Sequence, residues 1–194
     1  MTTIAITNLK GGTAKTTSSI LLAEGLRRLG HMPLILDADP QASASEWADT
    51  ALEKKTPLKF EIQPANIQSI KRTAVADADI IIIDCPPTNP KIIDVAIKAA
   101  DLVIIPVSPS GIEVSRMWES IDSAKGTNYG VLLTSVLANT KTYDELIKEL
   151  DKEEVPVYST KIPQRQGIKR LWGTNISGEL YGYQYLAAEI LGND

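Results

Sequence analysis

Two lysines, two glycines and three threonines lie close together near the start of the chain, in the stretch Asn8–Thr17 (NLKGGTAKTT). Glycine allows backbone N–H groups to curl around an anion without a Cβ clash. A lysine can contact the β- and γ-phosphates of a nucleotide, and a threonine hydroxyl can ligate Mg²⁺ or donate to a phosphate oxygen. The stretch therefore predicts a phosphate-binding loop. Its predicted nucleotide-binding residues are Lys10, Gly11, Gly12, Thr13, Ala14, Lys15, Thr16 and Thr17, and Thr16 is also a predicted Mg²⁺ ligand.

The segments on either side of this loop are those that a phosphate-binding loop needs. Thr2–Thr7 is apolar and β-compatible, and Thr16–Leu29 carries aliphatic residues at helical spacing. A helix that starts directly after the loop directs its positive N-terminal end at a bound anion. The alternative, a glycine turn with two solvated lysines, is disfavoured because it would not require this strand–loop–helix order.

Three aspartates follow two further predicted strands. Asp37 ends the strand His31–Asp37, Asp39 follows it, and Asp84 ends the strand Asp79–Asp84, which contains four consecutive isoleucines. Ligands of open α/β sheets bind at the carboxyl ends of the strands. We therefore expect Asp84 to hold Mg²⁺ through a water. The alternative for Asp39 is an N-cap of the following helix.

Strand and helix patterns alternate along the whole chain, which predicts an α/β fold with a mostly parallel, twisted sheet covered by helices on both faces. The further predicted strands are Leu58–Ile62, Leu102–Val107, Tyr129–Leu137 and Val155–Tyr158. The further predicted helices are Ala42–Lys54, Asn66–Ala76 (with Asn66 as N-cap), Pro90–Ala100, Gly111–Lys125, Thr142–Lys152 and Ser177–Leu191 (with Ser177 as N-cap).

The composition indicates one globular domain that spans residues 1–194. The chain has 43% apolar and 23% charged residues, ordinary values for a folded domain, and no apolar run long enough for a membrane span. Its net charge of −4 means that any nucleic-acid binding must come from a local patch. A single cysteine, Cys85, excludes an internal disulfide. The phosphate-binding loop begins so early that we expect neither a signal peptide nor a preceding DNA-reading domain, and hence a cytoplasmic location.

Several motifs together resemble the ParA/MinD family of ATPases, whose phosphate-binding loop departs from the usual Walker pattern. They are KGGxxKTT in the loop, DxDPQ at Asp37–Gln41, DxPP at Asp84–Pro87, PVSPS at Pro106–Ser110 and an IP pair at Ile162–Pro163. Together they cover most of the chain. The family usually has glycine where this chain has Ala14.

The resemblance implies a fold, cofactors and roles for individual residues. It implies a P-loop NTPase that uses ATP and Mg²⁺, with Lys10, Lys15 and Asp39 as the catalytic residues. Lys10 would reach the phosphates held by a partner subunit in an ATP-driven homodimer, and Asp39 would position the attacking water. Asp37 would lie near the magnesium shell, so the implied metal ligands are Thr16, Asp37 and Asp84. Pro163 would lie near the adenine.

A basic stretch, Lys161–Arg170, contains four cationic and no acidic residues. In ParA-like proteins the equivalent surface contributes to DNA binding without sequence preference. The resemblance therefore implies DNA contacts from Lys161, Arg165, Lys169 and Arg170. The alternative is an ordinary solvated loop and helix face.

The resulting expectation is a short ParA-like partitioning ATPase that is associated with the nucleoid. It would segregate plasmid DNA or position another cargo, as the carboxysome-positioning relatives do, with a ParB-like or equivalent adaptor protein. One alternative is a metabolic P-loop ligase or kinase. Another is a nitrogenase-reductase-like protein, for which a single cysteine per chain is too few. A third is a MinD-like membrane positioner. The predicted C-terminal helix has an apolar stripe but lacks the basic polar face of an interfacial helix, so no membrane partner is expected.

Overall fold

The computed structural model describes residues 1–72, 78–109, 114–138 and 140–192, and it describes only the backbone of residues 114–116. Its strands are β1 (Thr2–Ile6), β2 (Pro33–Asp37), β3 (Glu61–Pro64), β4 (Ile80–Asp84), β5 (Leu102–Val107) and β6 (Tyr129–Leu133). Its helices are α1 (Lys15–Arg28), α2 (Ser43–Glu53), α3 (Ile67–Ile70), α4 (Pro90–Ala99), α5 (Val114–Ala124), α6 (Lys141–Lys152), α7 (Gln166–Arg170) and α8 (Tyr183–Ile190).

The strands form one six-stranded sheet in the order β3-β2-β4-β1-β5-β6, and all paired neighbours are parallel. The predicted fold class is therefore confirmed. The central strand β4 is buried along its whole length. Successive side chains of a strand point to opposite faces, so Ile80 and Ile82 enter one core while Ile81 and Ile83 enter the other. This double burial explains why β4 consists of isoleucine rather than of alternating apolar and polar residues.

Each face of the sheet carries its own helices. Leu21 of α1, Trp47 of α2 and Leu186 of α8 belong to the core on one face. Ile93 of α4 and Leu146 of α6 belong to the core on the other. Parallel strands place all their carboxyl ends at the same edge, and the loops after β1, β2 and β4 therefore meet there.

The C-terminal third is less regular than predicted. The last helix begins at Tyr183 rather than near Ser177, because Gly182 (φ +107°) and Tyr181 (φ +52°) have left-handed backbone conformations that a helix cannot contain. The predicted strand Val155–Tyr158 is reduced to a single bridge, from Val157 to Val131 of β6.

Three other element boundaries also differ from the prediction. Strand β6 ends at Leu133, and only Val136 pairs beyond it, with Pro163. Strand β3 lies at Glu61–Pro64 rather than Leu58–Ile62 because its register is set by pairing with β2. Asn66 caps α3 as predicted, accepting hydrogen bonds from the amides of Gln68 and Ser69, but the helix ends at Ile70, and Lys71 and Arg72 form a turn. Residues 73–76 of the predicted Asn66–Ala76 helix, the start of the predicted Gly111–Lys125 helix and Ser110 lie outside the described residues.

Candidate nucleotide-binding site

The glycine-rich loop is held at its start by side chains. The Asn8 amide nitrogen donates to the Pro106 carbonyl at 2.8 Å, and its carbonyl oxygen accepts the Lys10 N–H at 2.9 Å. The Leu9 N–H donates to the Ser120 hydroxyl of α5 at 3.0 Å. Asn8 is 2% exposed, so these bonds are shielded from water. The loop is therefore fixed to β5 and α5 before its glycines are reached.

Lys15, the first residue of α1, lies inside the loop. Its side-chain ammonium donates to the Lys10 carbonyl at 2.9 Å, and the residue is only 7% exposed. Burial lowers the pKa of Lys15, while the nearby carboxylates of Asp84 and Asp39 act in the opposite direction. The lysine is thus a shielded cation that lies between the loop backbone and two aspartates.

Ala14 immediately precedes α1 in a left-handed conformation, with φ +67° and ψ 26°. Such a conformation costs a residue with a Cβ about 1–2 kcal/mol. Its carbonyl accepts the Ser18 N–H at 2.8 Å, so the conformation is part of the start of the helix. Glycine avoids this strain, which gives a physical reason for the glycine usual in the resembling family.

Asp37 and Asp84 end adjacent strands and are direct partners in the parallel register. Asp37 is 3% exposed and Asp84 is fully buried. Burial raises the pKa of Asp84 to about 7, and the Asp37 charge adds to this, whereas the hydroxyls of Thr16 and Ser19 and the ammonium of Lys15 oppose it. These hydroxyls lie near Asp84 without forming well-directed hydrogen bonds, and both Asp84 carboxylate oxygens are left unpartnered.

Of the two carboxylate oxygens of Asp37, one accepts hydrogen bonds and the other has no partner. Asp37 Oδ2 accepts hydrogen bonds from the Ser45 N–H at 2.8 Å and the Ser45 hydroxyl at 2.7 Å, whereas Oδ1 has no partner. Asp37 therefore satisfies an amide in the first turn of α2, the role that the alternative reading gave to Asp39. The backbone position before α2 is Ala42, at φ +53°. The Asp39 carboxylate instead accepts the Gln41 N–H at 3.0 Å.

These residues meet the requirements of a Mg²⁺ site. Three buried carboxylate oxygens lack partners, and the Thr16 hydroxyl lies beside Asp84. Mg²⁺ prefers oxygen ligands and usually combines one or two carboxylates with waters and substrate phosphates. In the part of the chain that the structure describes, no group of three His, Cys, Asp or Glu side chains could hold a metal ion by itself. The donor set therefore suits a metal that is completed by a nucleotide.

A cleft of about 650 Å³ opens above the glycine-rich loop. Asp39 lines it, and so do Gly11, Gly12, Ala14, Lys15, Thr16 and Thr17 of the predicted loop. Lys10 and Thr13 are not among the described lining residues, and Thr13 is 1% exposed. Asp37 and Asp84 are buried and are not among its lining residues. A second cleft, of about 710 Å³, lies near Pro33 and Glu61 at the amino ends of the strands. The cleft at the carboxyl ends is the candidate site because parallel sheets bind ligands at that edge.

The predicted basic segment lies along this cleft and along a neighbouring groove. The cleft is lined by Pro163, Arg165 and Lys169, which are far from the glycine-rich loop in sequence. Arg170 is exposed at the end of α7. Lys161 lies in a neighbouring groove that Pro163 and Arg165 also line, with its ammonium 5.7 Å from the centroid of the Tyr143 ring. Arg165 therefore borders both the cleft and the groove that contains Lys161.

Several residues of the site were not predicted from the sequence, among them Ser45, Asn8 and Trp172. Ser45 holds Asp37, Asn8 anchors the loop, and Trp172 lines the cleft. Ser45 and Asn8 carry no distinctive sequence signal, because a lone serine or asparagine is common in any loop or helix start. Trp172 follows the basic stretch Lys161–Arg170, and a large aromatic residue next to that stretch was the available sequence signal for it.

The parallel sheet, the glycine-rich loop and the aspartates at the strand ends define a P-loop nucleotide-binding protein. Residues 4–177 match the family described as the CobQ/CobB/MinD/ParA nucleotide binding domain. The chain belongs to this family, and the resemblance inferred from its motifs is confirmed.

Curated relatives and solved structures agree with this assignment. The chain is 30% identical to a maintenance of carboxysome distribution protein A from Halothiobacillus neapolitanus, over 84% of this chain and 80% of that protein. It is also 30% identical to the sporulation initiation inhibitor protein Soj from Bacillus subtilis, over 83% of each chain. The structure of apo McdA from Cyanothece superposes with a TM-score of 0.80 at 19% identity, over 99% of this chain and 100% of that one. An ATP complex of a variant of that protein has been solved, with a TM-score of 0.75 at 20% identity, over 100% of this chain and 97% of that one.

Proposed function

We propose that this protein is an ATPase that binds ATP with Mg²⁺ in the cleft and uses hydrolysis to position or partition a cargo. The observation that carries the proposal is the convergence of Lys15 and Asp39, from separate segments, above the buried pair Asp37 and Asp84. Relatives named for carboxysome distribution and for sporulation control support a positioning role. Within the described residues, no helix combines the length and apolar character that crossing a bilayer requires.

The residues divide the work of phosphoryl transfer between them. The amides of Gly11 and Gly12 and the Lys15 ammonium bind the phosphate oxygens. Thr16, Asp37 and Asp84 hold Mg²⁺, which when bound neutralises charge on the phosphates. Asp39 lies at the cleft surface and orients the attacking water through its carboxylate.

Lys10 acts across a dimer interface in this proposal. Its backbone N–H and carbonyl are both engaged within the loop, so the position of its Cα is fixed by Asn8 and Lys15. A cation presented by one subunit to the triphosphate of the other offsets charge that would oppose pairing. ATP binding should therefore favour a two-fold symmetric homodimer, with one nucleotide near each Lys10.

The ATP-bound dimer binds duplex DNA without sequence preference, and Lys161, Arg165, Lys169 and Arg170 supply the contacts. Arg165 and Lys169 also line the nucleotide cleft, so the proposed DNA-binding surface adjoins the nucleotide site. Two copies on one duplex can raise affinity about 10²–10⁴-fold over one copy. A ParB-like or equivalent cargo adaptor that speeds hydrolysis would release the protein locally from the nucleoid.

One experiment tests the nucleotide part of this proposal. ATP turnover and sedimentation are measured for the parent and for Asp39→Ala, each with Mg²⁺. We expect the variant to bind ATP, to lose turnover and to accumulate as a dimer. Asp49→Ala, an exposed aspartate on the middle of α2, is the matched control and should behave as the parent. Normal turnover by Asp39→Ala would remove its role, and an unchanged mass with ATP would remove the dimer.

A salt titration tests the DNA part separately. Affinity of the ATP-bound Asp39→Ala protein for duplex DNA should fall with salt, with a log–log slope of roughly −0.9 per phosphate neutralised. A double Lys169→Ala/Arg170→Ala variant should bind more weakly and with a shallower slope. Parent-like affinity and slope in that variant would place the DNA surface elsewhere.

A further inference from the structure

Trp172 is an apolar ring in a cleft whose other side is built for phosphate. It lies two residues beyond the end of α7, it is 39% exposed, and it lines the same cleft as the glycine-rich loop. The cleft therefore has a charged part near Lys15 and Asp39. Three apolar side chains, Pro163, Ile168 and Trp172, also line it, alongside the cations Arg165 and Lys169.

The Trp172 ring is held in place by helix α2. Its centroid is 5.1 Å from that of Trp47, with the two rings tilted by 52°, a geometry typical of packed aromatic pairs. Trp47 is 1% exposed, and its indole N–H donates to the Thr174 carbonyl at 3.1 Å. The Lys54 ammonium donates to the Trp172 carbonyl at 3.3 Å. Helix α2 thus contacts both the side chain and the backbone of Trp172.

The residue after Trp172 brings the backbone directly onto α2. Gly173 has φ +63°, and a Cβ at this position would lie 2.3 Å from a methyl carbon of Thr50. Only glycine allows this approach, so the path of the chain at Trp172 is determined by close packing. A ring that is already fixed loses little further side-chain entropy when a ligand covers it.

We propose that Trp172 is the stacking surface for the purine base of the nucleoside triphosphate whose phosphates lie at Gly11–Thr17. The inference rests on the proposed function, because it needs a nucleotide in this cleft. A base has an apolar π-face that aromatic side chains bind, and the charged region at the other side of the cleft takes the triphosphate. The larger ring system of a purine covers more of the indole than a pyrimidine does. Trp172 therefore contributes affinity for the base and a preference for ATP and GTP over CTP and UTP.

Calorimetric titration with two probes separates the base from the phosphates. ATP carries both groups, whereas inorganic tripolyphosphate carries the phosphates alone, and each is titrated with Mg²⁺ into the full chain. Loss of one stacking contact weakens binding about tenfold. We expect Trp172→Ala to bind ATP about tenfold more weakly and tripolyphosphate with parent affinity. Trp172→Phe keeps an aromatic face and should retain most of the ATP affinity.

Trp118 of α5 provides the matched control, because it packs against the core on the other face of the sheet. Trp118→Phe should bind both probes as the parent does. Parent-like ATP affinity in Trp172→Ala would overturn the stacking proposal and leave the proposed function intact. Equal losses for both probes would also overturn it, since Trp172 would then support the cleft as a whole. A parent that binds neither probe would overturn the proposed function itself.

Discussion

Asp37 and Asp84 lie directly opposite each other at the carboxyl ends of two adjacent parallel strands, and both carboxylates are closed to solvent. Two like charges in such a place repel each other and lack the hydration that they would have in water. The raised pKa of Asp84, about 7, expresses this cost. A cation between the two would remove the repulsion, so the pair is a local weakness of the fold that a ligand can relieve.

Replacing Asp84 with asparagine should stabilise the protein in the absence of ligand. The change removes a buried charge, and we expect the free energy of unfolding at pH 8 to rise by about 1–3 kcal/mol. The additional stabilisation that ATP and Mg²⁺ give to the parent through binding should be largely lost in this variant. Denaturant unfolding with and without MgATP measures both effects. Asp94→Asn, at an exposed position of α4, is the control. An Asp84→Asn protein that MgATP stabilises as much as the parent would contradict the assignment.

Lys15→Ala should weaken ATP binding about a hundredfold, the scale of a lost set of charge-assisted hydrogen bonds. Lys15 is buried and lies inside the loop, so neighbouring residues cannot easily replace its charge. Equilibrium titration with ATP and Mg²⁺ gives the affinity. Lys91→Ala, at an exposed position of α4, should leave it unchanged. If Lys15→Ala binds ATP as tightly as the parent, the loop is not the phosphate site.

Ala14→Gly should stabilise the protein slightly, by about 1 kcal/mol or less. The substitution removes the left-handed strain of a residue with a Cβ but increases the freedom of the unfolded chain. The reverse change nearby, Gly12→Ala, should destabilise the protein by about 1 kcal/mol because Gly12 has φ +79°. The cost should not be larger, since nothing lies within 4 Å of the added methyl group. Thermal unfolding of the two variants gives the comparison. The two variants should change the stability in opposite directions. An Ala14→Gly protein that is less stable than the parent would contradict the proposed backbone strain at Ala14.

Glu24 of α1 should make stability depend on pH. It is 2% exposed and accepts hydrogen bonds from Arg27 and Arg28 at 2.8–2.9 Å, and Arg28 also donates to the Ile176 carbonyl. Burial acts to raise the pKa of Glu24, but the two arginines outweigh it, so the pKa lies below its ordinary value of 4.5. A carboxyl whose folded-state pKa is depressed stabilises the protein above its unfolded pKa and loses this contribution as pH falls through the folded value.

The measurement for Glu24 is denaturant unfolding of the parent and of Glu24→Gln between pH 7 and pH 3. The difference in the free energy of unfolding should be about 1–3 kcal/mol near neutral pH and should shrink as the pH falls below 4.5. Glu119→Gln, on α5, provides a comparison outside this cluster. A difference that stays constant over the whole range would show that the glutamate acts through packing alone.

Much of the phosphate end of the site could be predicted from the sequence. The glycine-rich loop is partly local: hydrogen bonds join Lys10 to Asn8, and Thr13 and Lys15 to Lys10. The predicted order of strand and helix required that Asp37 and Asp84 end parallel strands, and parallel strands share a carboxyl edge. Their pairing side by side followed only from the observed strand order, in which β2 and β4 are neighbours.

The sequence by itself determined the fold class, the position of the glycine-rich loop and the edge of the sheet at which the aspartates lie, because periodicity, glycine and chain direction are local properties. Only the tertiary structure decided that Ser45 serves Asp37, that Arg165 and Lys169 face the cleft, and that Trp172 packs on Trp47. These contacts join residues from separate segments. The contact between Trp47 and Trp172 depends on how the chain after α7 packs against α2. Packing of this kind depends on shape across the whole fold, and no spacing within one segment of the chain reports it.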